Sequence, residues 1–198
     1  MMRRARSRIA AFTLIELMIV VALLVIIVAL AAPSFRDMIL MQRLRGINAQ
    51  LLTDMAFARS EAVSRGTYMQ VRFQATSSMS CYIIFARVDA NSAPTCDCTL
   101  AVGSRCADPA LTTEIKTVVA PFSESVKFLP AANQVSFFTV LPRNGGIKVE
   151  PVPEMIPPDR FRVFTRIYNA RQFRNDVELS GHASACAPAG STVGGSPC

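Results

Sequence analysis

From Leu17 to Ala32 sixteen consecutive residues carry no polar side chain. About 20 apolar residues are enough to cross a bilayer as a helix, so this run with its flanks reads as a membrane segment. Past Pro33 the pattern becomes periodic. Phe35, Met38, Met41, Leu44, Ile47, Leu51, Met55, Ala58 and Ala62 recur at spacings of three and four, which predicts a helix with one apolar side. Arg36, Arg43, Arg45, Arg59 and Arg65 lie mostly off that side. Glu61 and Arg65 are placed to pair at i, i+4, and Gly66 is a stop signal. Pro33 is expected to bend the helix, because it removes a hydrogen bond and crowds the preceding turn. The Met and Phe positions of the apolar side are expected to pack as core.

After Gly66 the period shortens. TYMQVRF, CYIIFARV, TEIKTVV, VKFL, VSFFTV, GIKVEPV, RFRVFTRIY and DVELS are rich in β-branched and aromatic residues and are separated by turn signals, which predicts strands. LPRNGGIKV places Pro142, Asn144, Gly145 and Gly146 between two such runs, a hairpin signal. PVPEMIPPDR carries four prolines and reads as a loop or an edge. There is no internal repeat. The predicted fold class is α+β: a long N-terminal transmembrane-to-periplasmic helix packed on a mainly antiparallel β-sheet domain.

Charge changes the picture less than its total suggests. The chain of 198 residues has a formal net charge of +7. Arg3, Arg4, Arg6 and Arg8 all precede the apolar run, and setting them aside leaves +3. Their position fits the positive-inside rule better than phosphate binding. Six cysteines after an export segment read as a disulfide framework. The single histidine, His182, leaves little material for acid–base or metal chemistry.

One residue resists the plain reading. Glu16 stands at the front of the apolar run, and a charge near the middle of a bilayer costs about 2.5 kcal/mol or more. A secretory signal, with Ala29-Leu30-Ala31 as its cleavage site, has a core of about 7–15 residues, shorter than this one. A simple anchor explains the length and leaves the glutamate unexplained.

Residues 11–35 account for both, because they resemble the N-terminus of type IV pilins and type II secretion pseudopilins. Ala11, Phe12, Thr13, Leu14, Ile15 and Glu16 follow a basic leader in the family's order, with alanine where glycine is usual, and Pro33 stands where the family has its helix-kinking proline. The resemblance implies cleavage between Ala11 and Phe12 by a prepilin peptidase and N-methylation of Phe12. It also implies that Glu16 meets the Phe12 amine of a neighbouring subunit and so sets axial register. Bringing a carboxylate and an amine together in hydrocarbon offsets part of the penalty of each. ARSEAVSRGTYMQVRF (residues 58–73) and FFTVLPRNGGIKV are similar to the FimT/GspH branch, which contains minor pilins of type IV pili and minor pseudopilins of type II secretion. The implied organisation is a leader over 1–11, a transmembrane and filament-core helix over 12–33, a periplasmic amphipathic helix over 34–65 and a β-rich domain over 66–198. The implied partners are prepilin peptidase, other pilin or pseudopilin subunits and the inner membrane, with the domain in the periplasm.

Cys186 and Cys198 frame APAGSTVGGSP, a tail with no core of its own. C-terminal disulfide loops are common in pilins, so the resemblance implies that these two pair and close the tail over 186–198. Cys81, Cys96, Cys98 and Cys106 form a second cluster. Four cysteines allow three connectivities, and disfavouring a Cys96–Cys98 bond leaves two. The cluster lacks the paired C-x2-C knuckles of structural zinc, and no histidine suits a catalytic thiol. The expectation is no enzyme, no metal and no cofactor.

Some FimT-type pilins take part in DNA uptake through a Gly-Arg-x-Arg motif before a cysteine. The matching stretch here is Gly181-His182-Ala183-Ser184-Ala185-Cys186, with neither arginine. Arg160, Arg162, Arg166, Arg171 and Arg174 lie upstream as candidate phosphate contacts. The competing reading, which is favoured, is that they are strand and loop charges opposing aggregation. The function expected is therefore that of a minor pilin of the FimT/GspH type, with a minor pseudopilin of type II secretion as the alternative.

Overall fold

The computed structural model describes residues 13–89, 95–122, 126–132, 134–150, 159–167 and 171–198, leaving aside the Pro33 side chain. Its first element, α1, spans Leu14–Arg65. Thr13 opens it: the Thr13 hydroxyl accepts the Glu16 N–H at 3.3 Å, and the Thr13 carbonyl accepts Leu17 N–H at 3.2 Å. Such side-chain acceptors satisfy amides that have no partner within a helix. At the other end Gly66 takes φ 61° and Thr67 N–H returns to the Ala62 carbonyl at 3.2 Å. That is the Schellman closure, which favours glycine because it needs a left-handed residue. Glu61 and Arg65 form the expected ion pair. The helix continues unbroken through position 33.

The chain divides into two compact units, Met1–Ile39 and Leu40–Cys198. In the first, the described part of α1 is apolar and solvent-facing, from Leu14 at 76% exposed to Leu30 at 75%. Phe35 and Met38 are also exposed, so the expectation that they pack as core is not met. The helical period continues through them, but the packed unit begins only at Leu40.

In the second unit Leu44, Leu51, Met55, Ala58 and Ala62 are buried and Ile47 is partly buried. Nine strands follow among the described residues: β1 (Tyr68–Ala75), β2 (Met79–Arg87), β3 (Thr112–Pro121), β4 (Lys127–Pro130), β5 (Phe137–Val140), β6 (Ile147–Lys148), β7 (Arg160–Ile167), β8 (Arg171–Glu178) and β9 (Ala183–Cys186). They make two sheets, ordered β3-β2-β1-β5-β6 and β4-β7-β8-β9, and every pairing between neighbours is antiparallel. The hairpin at 141–146 joins β5 to β6 as expected, with Gly145 at φ 67° and Gly146 N–H donating to the Asn144 side chain at 3.0 Å. DVELS is the end of a longer strand, β8. The segment 151–158, expected to be a loop or an edge, lies outside the described residues.

The main core lies where α1 and the inner faces of both sheets meet. Leu51, Met55, Ala58 and Ala62 share it with Met69, Val71, Tyr82, Ile84, Phe138, Phe161 and Val163. Phe73 is its aromatic centre, with ring centroids of Tyr82, Phe128 and Phe161 at 5.7, 6.3 and 5.6 Å. Alternation along β2 sends Cys81, Ile83 and Phe85 to the opposite face, where Cys96 and Cys98 cover them.

Candidate functional site

Of the residues with an expected role in assembly, Glu16 sits at the start of α1. Glu16 occupies the first turn, three residues after its cap Thr13. A carboxylate there is favoured by the helix dipole, so Glu16 has a local reason to be present besides any partner. Sequence reasoning missed this, although Thr-x-x-Glu ahead of an apolar run is its signature. Ala11 and Phe12, the expected processing site, lie outside the described residues. Pro33 lies within α1, well along the chain from Glu16, so these residues form no single site.

The cysteines pair completely. Cys81 joins Cys98 and Cys96 joins Cys106, one of the two connectivities left open by the sequence. Cys186 joins Cys198. The first two bridges hold the segment around residues 95–106 against the back of the five-stranded sheet. Cys98 N–H donates to Gln74 Oε1 at 2.8 Å, and Arg105 pairs with Glu114 of β3 at 2.7 Å. The third bridge closes a C-terminal lasso whose polar groups are tied down. Ala187 N–H donates to the Ser196 carbonyl at 2.8 Å and Cys198 N–H to the Ala187 carbonyl at 3.1 Å. Ser191 Oγ donates to the Gln172 carbonyl at 2.7 Å. Val193 at the lasso's far side is buried with Leu44, Val126 and Ile167, and Arg45 donates to the Val193 carbonyl at 3.0 Å. The tail thus lacks its own core but completes one belonging to the domain. Among the described residues no cluster of His, Cys, Asp or Glu could hold a metal.

The five candidate phosphate-contact arginines lie on β7 and β8. Alternation along β7 buries Phe161, Val163, Thr165 and Ile167 and leaves Arg160, Arg162, Phe164 and Arg166 on the outer face. Asp176 of β8 sits opposite Arg162 in register and is only 7% exposed. It pairs with Arg162 at 2.9 Å, Arg174 at 3.2 Å and Arg160 at 3.7 Å. Arg160 also meets Asp159 at 2.8 Å. Arg171 is engaged as well. Three of the five arginines are brought together around one carboxylate, which offsets part of their charge.

Another buried carboxylate was not anticipated. Asp54, on the core side of α1 and 2% exposed, accepts the Tyr82 hydroxyl at 2.7 Å and Lys116 Nζ at 2.7 Å. It ties α1 to β2 and β3. Burial first, and the Asp54 hydrogen bond second, push the Tyr82 phenol well above its ordinary value. Asp54 falls between apolar neighbours at helical spacing, so only a polar residue on the core stripe could have signalled it.

This architecture agrees with comparisons to known proteins. A model of the prokaryotic N-terminal methylation motif matches residues 6–32, the basic leader and the apolar start of α1. That part of α1 is long and apolar enough to cross a membrane. A second model, described as type II transport protein GspH, matches residues 48–155, from the core side of α1 past β6. No curated protein and no solved structure is matched by the chain. Members of these families are structural subunits and not enzymes. They are processed by prepilin peptidase and assemble with other pilin subunits, as single-pass inner-membrane proteins with a periplasmic domain that later join a pilus or pseudopilus. The GspH match covers more than half of the chain, and the fold is the one such subunits require, so the chain belongs to the GspH family of pilin-like proteins.

Proposed function

We propose that this chain is a minor pilin of the FimT/GspH type. It is cut between Ala11 and Phe12, methylated on the Phe12 amine and built into a type IV pilus. In this reading residues 1–11 are the leader, 12–33 cross the membrane and later line the filament core, 34–65 continue as the periplasmic helix, and 66–198 present contacts to other subunits. Glu16 meets the Phe12 amine of its neighbour on entry. The observation that carries the choice of filament is the C-terminal lasso, closed by Cys186–Cys198 and plugged into the domain by Val193. A surface filament meets shear and proteases outside the cell, and a tail locked to the body resists both.

The second reading, a minor pseudopilin of a type II secretion system, is favoured by the description of the matching family. DNA uptake stays outside the proposal, because Asp176 engages three of the five candidate arginines. Shearing filaments from intact cells separates the alternatives. A minor pilin is expected in the sheared fraction, starting at N-methyl-Phe12, and Glu16→Ala is expected to keep that N-terminus yet leave the fraction. A chain missing from sheared filaments, with secretion of exoproteins lost on its deletion, would establish the pseudopilin reading instead.

A further inference from the structure

The helix α1 has a second apolar stripe that the core does not use. Leu52, Ala56 and Val63 lie on it, and Val63 is 48% exposed. Facing them is the turn between β8 and β9. Together they line an open groove of about 490 Å³, mostly apolar, with Gly181, His182 and Ala183 on one side and Arg59 and Ser60 in the helix wall.

The backbone around Arg59 is shaped to hold it. A methyl group on Gly145 would come 2.7 Å from Arg59 Cγ and Nε, and one on Gly181 would come 3.3 Å from Arg59 Cδ and 2.0 Å from the Gly145 carbonyl oxygen. Both glycines have positive φ, 67° and 82°. The β5–β6 hairpin and the β8–β9 turn therefore approach closely enough to exclude a side chain at Gly181, Gly145 is held to glycine by its positive φ, and the stem of Arg59 packs against both. Arg65, Arg105, Arg160, Arg162 and Arg174 all have carboxylate partners. Arg59, like Arg166 on the outer face of β7, has none within 4 Å among the described residues, but Arg59 alone of these lines the groove.

We propose that this groove docks an apolar segment of a neighbouring pilin-family subunit, and that an Asp or Glu on that segment pairs with Arg59. The proposal rests on the family reading, which supplies the partner; the groove and its arginine belong to this chain. Apolar walls take aliphatic side chains and exclude water. A guanidinium at their edge then selects a carboxylate, which it can bind through two parallel hydrogen bonds. Arginine beside an apolar floor is a frequent anchor of protein interfaces. A nucleic acid fits less well, since phosphate binding gains from several cations and the groove offers one arginine beside walls that bases and phosphates would leave wet.

A photo-crosslinking residue at Val63 of the full chain, in its host's membranes, tests this. A second probe at Ile26, on the apolar run of α1, serves as the reference. The expected Val63 adduct is to another subunit bearing the N-methylation motif, through an apolar peptide containing Asp or Glu. Arg59→Gln should lower the Val63 adduct at least tenfold relative to the Ile26 adduct, and Arg59→Lys should restore part of it. Pairing Arg59→Glu with a basic residue at the captured acid should recover it. An Ile26 adduct without one at Val63 would overturn the groove and leave the family reading standing. A Val63 adduct to nucleic acid, to a peptide without an acid, or undiminished by Arg59→Gln would also overturn it. Absence of both adducts would overturn the assembly reading together with this one.

Discussion

At the scale of single residues the domain depends on a few buried charges. Asp54 accepts from both Tyr82 and Lys116, so Tyr82→Phe leaves a buried oxygen short of a donor. Such a deficit costs about 1–3 kcal/mol, and thermal unfolding of the full chain in detergent should show it. The titration of two groups fixes where pH acts. Burial and the Asp54 bond raise the Tyr82 phenol, so the neutral form is favoured by folding. That contribution is whole below an unfolded value of about 10 and fades as pH rises beyond it. Glu114 runs the other way. Burial raises its carboxyl, but hydrogen bonds from Thr117 and Arg105 and the Arg105 charge outweigh burial and hold it below its ordinary value. Its contribution is whole above about pH 4.3 and is lost as pH falls through the lower folded value. Tyr82→Phe should flatten the alkaline limb of the stability profile and Glu114→Gln the acid limb. Limbs identical to those of the unchanged chain would refute these assignments.

At the scale of elements, what could be read in advance follows from how much of the signal is local. The hairpin at 141–146 and the stop at Gly66 are set by nearby residues, and both were legible. The eight expected strand segments were chosen for β-branched and aromatic content, which marks strands whose side chains pack. β9, Ala183-Ser184-Ala185-Cys186, has no such content. It exists because β8 pairs with it and Cys198 anchors its end, and neither cause is local. Phe35 and Met38 failed for the opposite reason. Their helical spacing was correct, but periodicity does not say where the surface that covers a stripe begins. The lasso was half legible: its bridge follows from the family resemblance, whereas the burial of Val193 against Leu44 does not. That burial makes a testable claim. Replacing both Cys186 and Cys198 by Ser should cost about 2–4 kcal/mol through the freed tail and should make the chain near Leu44 open to proteolysis. A protease-resistant variant with an unchanged unfolding midpoint would reduce the bridge to an ornament.

At the scale of the whole molecule the question is what the positive charge does. Four of the arginines, Arg3, Arg4, Arg6 and Arg8, precede the apolar run, and on the proposed cleavage after Ala11 they would leave with the leader, so most of the net positive charge stands ahead of the membrane segment. Of the remainder, Arg160, Arg162 and Arg174 gather at Asp176 on the outer face of the four-stranded sheet. A carboxylate at the focus of three guanidiniums lets them sit side by side on neighbouring strands, where like charges would otherwise repel, and it lowers the field they present to a polyanion. The full chain in detergent should therefore leave duplex DNA unretarded at physiological salt. Asp176→Asn removes the neutralising charge while keeping the shape. It should lower stability through mutual repulsion of the arginines and at the same time raise retardation at low salt, with a steep loss as salt increases, as release of counterions requires. Strong retardation by the unchanged chain, abolished by replacing Arg160, Arg162 and Arg174 together, would reverse the argument and make this face a nucleic-acid surface with Asp176 as its regulator. The expected outcome instead leaves the face as a sheet surface whose positive charge is partly offset by Asp176, protected from edge-to-edge association by its charges, and keeps the proposed recognition at the groove beside Arg59, which has no carboxylate partner among the described residues.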